Sequence, residues 1–139
     1  MAATMTALFG GTGPHWTPRQ VPLPEPGPRQ IVVRARAVAL NNADAAMLAA
    51  ADPTAGGTGE EYQAGFEFTG EVTAVGDGVT RPAELGAVVA AAGEALLPAV
   101  ADARVRPVLD STFTFDTADQ AVERLRSHQA HGKTVLAVP

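Results

Sequence analysis

Residues Ile31 to Leu40 (IVVRARAVAL) alternate, with Arg34 and Arg36 on one face and Val33, Ala35, Ala37 and Ala39 on the other. A period of two sustained over ten residues commits this stretch to a sheet, because a helix would scatter the same residues around its circumference. The segment before it, Val21-Pro22-Leu23-Pro24-Glu25-Pro26-Gly27-Pro28, is an extended connector or edge, since its prolines donate nothing to a ladder. Thr4 to Phe9 is a second β-prone run, broken by Gly10, Gly11, Gly13 and Pro14, with His15 to Val21 returning as its partner. Phe66 to Val75 (FEFTGEVTAV) reads as a long strand ending in the turn Gly76-Asp77-Gly78. Gly86 to Ala92 (GAVVAAA), Arg104 to Leu109 and Lys133 to Val138 (KTVLAV) complete the strands, and the last, apolar and terminal, must join a sheet to satisfy its backbone.

Three helices fit between them. Asn41 or Asn42 caps a helix from Ala43 to about Ala51, with Asp44 in the favourable first turn and Pro53 with the Gly56-Gly57-Thr58-Gly59 cluster ending it. A second runs from Glu94 to about Ala103 around an awkward Pro98. The third, Ala118 to Ser127, is opened by a capping box from Asp116 or Thr117 with Asp119 or Gln120 and buries Val122 and Leu125. The expectation is a mainly β fold with a few helices (α+β), in a single domain over residues 1–139.

Composition narrows the function. A net charge of -5 without a basic tract removes a nucleic-acid footprint and a polybasic membrane patch. With no cysteine, the chain has no disulfides, iron–sulfur ligands, thiolate zinc sites or cysteine nucleophile. No run of about 18 apolar residues is present, and the start of the chain lacks a charged leader, so a soluble, cytoplasmic protein is expected.

Three blocks carry a family likeness. PLPEPGPRQIVVRARAVALNNAD and GFEFTGEVTAVGDGVTR resemble the N-terminal catalytic domain of quinone-oxidoreductase-like medium-chain dehydrogenases/reductases. RVRPVLDSTFTFDTADQAVERLRSHQAHGKTVLAVP resembles the extreme C-terminus of the same superfamily. The resemblance implies a GroES-like, partly open β-barrel completed by a C-terminal helix-strand segment. It also implies that the Rossmann domain is missing: the strand like GAVVAAA and the helix like EALLPAVADARV are separated only by Gly93, so parts 1–92 and 94–139 meet there. Gly10-Gly11-Thr12-Gly13 is the one tempting glycine cluster, but Pro14 and a strand-like segment follow it where a phosphate loop needs a helix. No cofactor is therefore expected. No metal is expected either, because the resemblance puts Asn41 and Phe66 where zinc-dependent members carry a cysteine and a histidine ligand.

The candidate catalytic residues are Asn41, Asp44, Tyr62 and His131; the candidate substrate-binding residues are Glu61, Glu67 and Phe66. Asn41 and Asp44 match the family's substrate-facing corner in LNNAD, where an amide holds a carbonyl and a half-buried carboxylate exchanges protons, although the same pair also reads as a cap with a first-turn acid. Glu67 matches the acidic residue behind the catalytic floor, with Arg34 or Arg36 as its expected partner. Glu61 and Tyr62 lie in the loop that family members vary, and His131 precedes Gly132 and Lys133 in a family-like HGK turn.

The function these readings favour is a cofactor-independent, non-redox enzyme. It would be a cyclase, isomerase or lyase, pericyclic steps included, acting on an apolar, carbonyl-containing, polyketide-like biosynthetic intermediate. The alternatives are a non-catalytic small-molecule-binding or assembly module, or one half of a split NADPH-dependent quinone/enoyl reductase. A small apolar molecule is the expected partner. A homodimer is expected too, because losing a whole domain would bare the face that packed against it.

Overall fold

The computed structural model describes residues 3–80, 98–104 and 106–138. The architecture is mainly β with few helices, as the patterning requires, and its strands form two sheets that do not close into a barrel among the described residues. In the three-stranded sheet, β1 (Thr4–Gly10) lies between β2 (Thr17–Pro22) and the two-residue β4 (Tyr62–Gln63). The pairing of β1 with β2 is antiparallel, from Thr4↔Pro22 to Phe9↔Thr17. The glycine cluster bends into β2 and no helix follows it, so it serves as a hairpin turn.

The second sheet has the order β5-β3-β7-β6, built from β3 (Ile31–Leu40), β5 (Glu67–Val75), β6 (Leu109–Phe113) and β7 (Lys133–Ala137). The antiparallel pairing of β7 with β3 runs from Ala37↔Ala137 to Leu40↔Thr134, and its parallel pairing with β6 runs from Leu109↔Lys133 to Phe113↔Leu136. One extra residue, Asp110, enters β6 between Leu109 and Ser111, a bulge that turns this aspartate away from the ladder.

The ten-residue alternation is β3 itself, from Ile31 to Leu40, with Arg34 and Arg36 exposed. The first helix, α1 (Asn42–Ala51), has Asn41 as its N-cap. The other long helix, α2 (Ala118–Arg126), buries Ala118, Ala121, Val122 and Leu125, which are i, i+3, i+4 and i+7 of one stripe. Two local expectations are corrected. The strand placed at Arg104 to Leu109 begins only at Leu109, because Pro107 offers no N–H to a ladder and Asp102 and Ala103 still bond back to a helical turn at 98–101. The capping box falls one turn earlier than Asp116: Thr114 opens a 3-10 turn (Phe115–Thr117), its N–H donating to Thr117 Oγ1 at 2.9 Å. The strand at Gly86 to Ala92, the junction at Gly93 and the start of the helix at Glu94 lie outside the described residues.

The chain divides into two compact units, Met1–Leu23, Ala35–Gly70 and Val108–Pro139 forming the first, and Pro24–Arg34 with Glu71–Pro107 the second. The first holds the core, where Leu8, Trp16, Leu40, Leu48, Val122 and Leu136 pack together, and it also holds Asn41, Asp44, Glu67 and Lys133. Within the second, the Gly76 N–H donates to the Gln30 carbonyl at 2.9 Å and the Arg29 N–H to the Asp77 carbonyl at 2.8 Å.

Candidate functional site

The end of β3 and the start of α1 share one corner. Leu40 is buried, and at Asn41 the backbone is extended (φ -125°, ψ 163°) before turning into the helix. The Asn41 N–H donates to Asp44 Oδ2 at 2.8 Å, so Asp44 satisfies the cap and leaves the Asn41 side chain for other work. The register of β7 against β3 puts Lys133 one step beyond the Leu40↔Thr134 pair, level with Asn41. Glu67 opens β5 on the other side of β3.

Three neighbouring strand ends therefore converge. Lys133 Nζ donates to Asn41 Oδ1 at 2.9 Å and to Glu67 Oε2 at 2.7 Å, and Asn41 Nδ2 donates to the same Glu67 oxygen at 3.1 Å. The side chains of Lys133 and Glu67 remain 43% and 52% exposed, so the cluster is open to a ligand. Bonding from Lys133, then from Asn41, holds the Glu67 carboxyl below its ordinary pKa.

Asp44 lies behind this cluster and is only 1% exposed. Burial pushes its carboxyl upward, the N–H bonds from Asn41 and from its own backbone pull it back, and the charge of Glu67 adds to the rise. Its Oδ1 is buried with no hydrogen-bond partner among the described residues. A carboxyl whose native pKa is raised stabilises the fold below its unfolded value, near 3.8, and that contribution is lost as pH climbs through the higher native value. Asp44→Asn keeps an oxygen for the Asn41 N–H and removes the buried charge. Denaturant titrations from pH 4 to pH 8 are expected to show the variant gaining on the native protein as pH rises. Parallel stability curves would mean that Asp44 carries no burial penalty.

Tyr62 accepts a hydrogen bond from Trp16 Nε1 at 3.1 Å, and its phenol is raised in pKa by burial first and by the charge of Asp44 as well. The remaining candidates stand apart. Both Glu61 carboxylate oxygens accept from the Arg19 guanidinium, whose carbon also lies 5.1 Å from the Phe9 ring centroid. Phe66 is 55% exposed beside Glu67 in the chain. His131 is exposed, and its backbone N–H donates to Asp110 Oδ1 at 2.8 Å. Asp110 also accepts from Arg124 at 2.7 and 2.8 Å and from the Ser111 hydroxyl at 2.8 Å; Arg124 above all holds its carboxyl well below the usual carboxylate range.

The structure thus brings Asn41 and Glu67 together, with Asp44 behind them. It corrects the partner of Glu67 from Arg34 or Arg36 to Lys133, because β7, and not β3 itself, delivers a cation to that sheet end. Lys133 is the site residue absent from the sequence candidates, and its signals are an acid flanked by phenylalanines, which needs a cation, and a lysine opening an apolar strand.

A family model described as zinc-binding dehydrogenase matches residues 30–136. Comparison with curated proteins gives no match, and neither does comparison with solved structures. The donor set does not fit zinc: the chain has no cysteine, no three acidic or histidine side chains gather around a metal site among the described residues, and Asn41 Oδ1 already holds the Lys133 ammonium. Nor do the described helices suit a dinucleotide pyrophosphate, since α1 and α2 carry Asp44 and Asp119 in their first turns. With residues 30–136 matched, most of its length, this chain belongs to the zinc-binding dehydrogenase family.

Proposed function

We propose that this chain is a quinone-oxidoreductase-like member reduced to its substrate-binding part, a cofactor-independent, non-redox enzyme that moves a proton on an apolar carbonyl compound. Isomerisation is the simplest reaction of this class, and cyclisation or elimination on a polyketide-like intermediate would use the same first step. The chain acts as a homodimer in this reading, and exposed Phe66 and Phe68, which flank Glu67 in the chain and alternate to the other face of β5, are the apolar surface for a second copy.

The observation that carries the reading is the convergence of an ionised carboxylate, an amide and an ammonium at one sheet end. Both hydrogen bonds to Glu67 end on Oε2, so Oε1 is the oxygen that takes the proton. The α C–H bond breaks toward it, the electron pair moves into the C–C bond, and the carbonyl oxygen becomes an enolate oxygen. In this reading the second N–H of the Asn41 amide, which Glu67 does not use, holds the carbonyl oxygen beside the Lys133 ammonium. Glu67 then returns the proton to the γ carbon, so a β,γ-unsaturated ketone becomes its conjugated isomer with no change of oxidation level. Asp44, buried, does not touch substrate; it positions Asn41 through the backbone N–H. Tyr62 steadies the wall behind it through Trp16.

The test is the rise of conjugated-enone absorbance when purified protein meets an aryl β,γ-unsaturated ketone without nucleotide. Glu67→Gln is expected to slow that isomerisation about a hundredfold, the usual scale for losing a positioned base. Turnover that appears only when NADPH and a second, nucleotide-binding chain are both added would favour the split-reductase alternative, and ligand binding without turnover under either condition would favour the binding module.

A further inference from the structure

We infer that Lys133 is the oxyanion donor of this site, and that the site therefore selects ligands with a planar, conjugated oxyanion on an apolar body. The inference deepens the proposed proton-transfer reading and rests on it for the reaction, but it concerns a binding property that can be read separately.

An ammonium has three N–H donors. Lys133 spends one on Asn41 Oδ1 and one on Glu67 Oε2, which fixes the position of Nζ and leaves the third pointing out of the pair. The side chain is 43% exposed, so that donor meets solvent or ligand. An ammonium held on two oxygens is already oriented before the ligand arrives, which is the condition for stabilising a charge that forms later. The surroundings favour an apolar body on the ligand. Leu109, 59% exposed, is the β6 residue in register with Lys133, and Val108, 67% exposed, accepts the Lys133 N–H on its carbonyl at 2.9 Å.

The positions of the groups also divide the labour. Glu67 and Lys133 share a hydrogen bond before reaction, so transfer of the substrate proton to Glu67 removes the carboxylate charge that the ammonium was balancing. The ammonium is then free to turn its full charge on the new enolate oxygen. Proton removal and oxyanion stabilisation are in this way coupled through one 2.7 Å contact.

The probe is 4-nitrophenol, whose phenolate carries a conjugated oxyanion on an aryl ring and reports its own ionisation by absorbance. Bound to the native protein, it is expected to ionise at lower pH than when free, with the phenolate bound about tenfold or more tighter than the neutral phenol, the scale of one charge-assisted hydrogen bond. Lys133→Met is expected to abolish that preference, and ethylammonium added to Lys133→Ala to restore part of it. Glu67→Gln should keep or strengthen the preference, since it leaves the ammonium and removes a competing charge. Equal affinity for phenol and phenolate in the native protein would overturn the inference without any variant being needed. A preference that survives in folded Lys133→Met would overturn it too. A clear phenolate preference in a protein that never isomerises the ketone would leave this inference standing and sink the proposed reaction.

Discussion

Gly132→Ala is expected to destabilise the protein by about 3 kcal/mol and to disorganise the candidate site, because two independent penalties meet at one residue. The first is conformational. Gly132 has φ 126°, a value that L side chains rarely adopt and glycine adopts freely. The second is steric. A β-carbon built there would run into the Val108 carbonyl and lie 2.8 Å from Val108 Cγ1, and that carbonyl, one residue before β6, is held in place by the Lys133 N–H. The close approach exists because the Lys133 N–H must reach the Val108 carbonyl at 2.9 Å to start β7 beside β6. Lys133 follows Gly132 directly, so whatever moves to relieve the clash moves the ammonium as well. Thermal unfolding of Gly132→Ala should fall well below that of the native protein. NMR shifts of the Glu67 side chain should also move toward those of a free carboxylate, since bonding from Lys133 is the chief cause of its lowered pKa. A variant with native stability and an unchanged Glu67 resonance would show that the turn is slack.

The same turn shows what local sequence can and cannot reveal. Strand β3 was legible because its alternation is a property of ten consecutive residues, and the stripe of α2 was legible because Val122 and Leu125 lie within one helix. Asn41 was legible as a cap for the same reason, being followed by a first-turn acid and an alanine-rich run. The lysine was not, because its role is set by register between β3 and β7, elements 92 residues apart at the Asn41–Lys133 contact. An alternation pattern fixes which side of a sheet a residue takes and says nothing of which strand becomes its neighbour. Asp110 was hidden in a related way. It looks like a polar residue in a poor strand until the bulge in β6 turns it toward Arg124 and the His131 N–H. The strand starts later than its β-prone residues suggest, because Pro107 has no N–H for a ladder and stops the pairing short of Val108.

Leu136→Ala is the core counterpart of the glycine variant, with an expected cost of about 3 kcal/mol and a fall in melting temperature of about 10 °C. Leu136 is 1% exposed and belongs to β7, which has strands on both sides, pairing with Val38 of β3 and Phe113 of β6. Val38 and Phe113 both pack against the same core that Leu136 helps to form with Leu48 and Val122. Truncation there removes three side-chain carbons from a site walled by two strands whose backbones are hydrogen-bonded in register, so collapse around the void is restricted and the cavity contribution stays near its full size. The next inward residue, Thr134, has a buried hydroxyl with no hydrogen-bond partner among the described residues, and loosening β7 would let water reach it, a small compensation. Because Leu136 and Lys133 lie on one five-residue strand, the two effects can be told apart: Leu136→Ala should lower stability while leaving phenolate preference intact in the folded fraction, whereas Lys133→Met should do the reverse. Denaturant unfolding together with 4-nitrophenol titration of each variant decides it. If Leu136→Ala unfolded within about 1 kcal/mol of the native protein, the core assigned to this sheet would not be the one that holds the fold together.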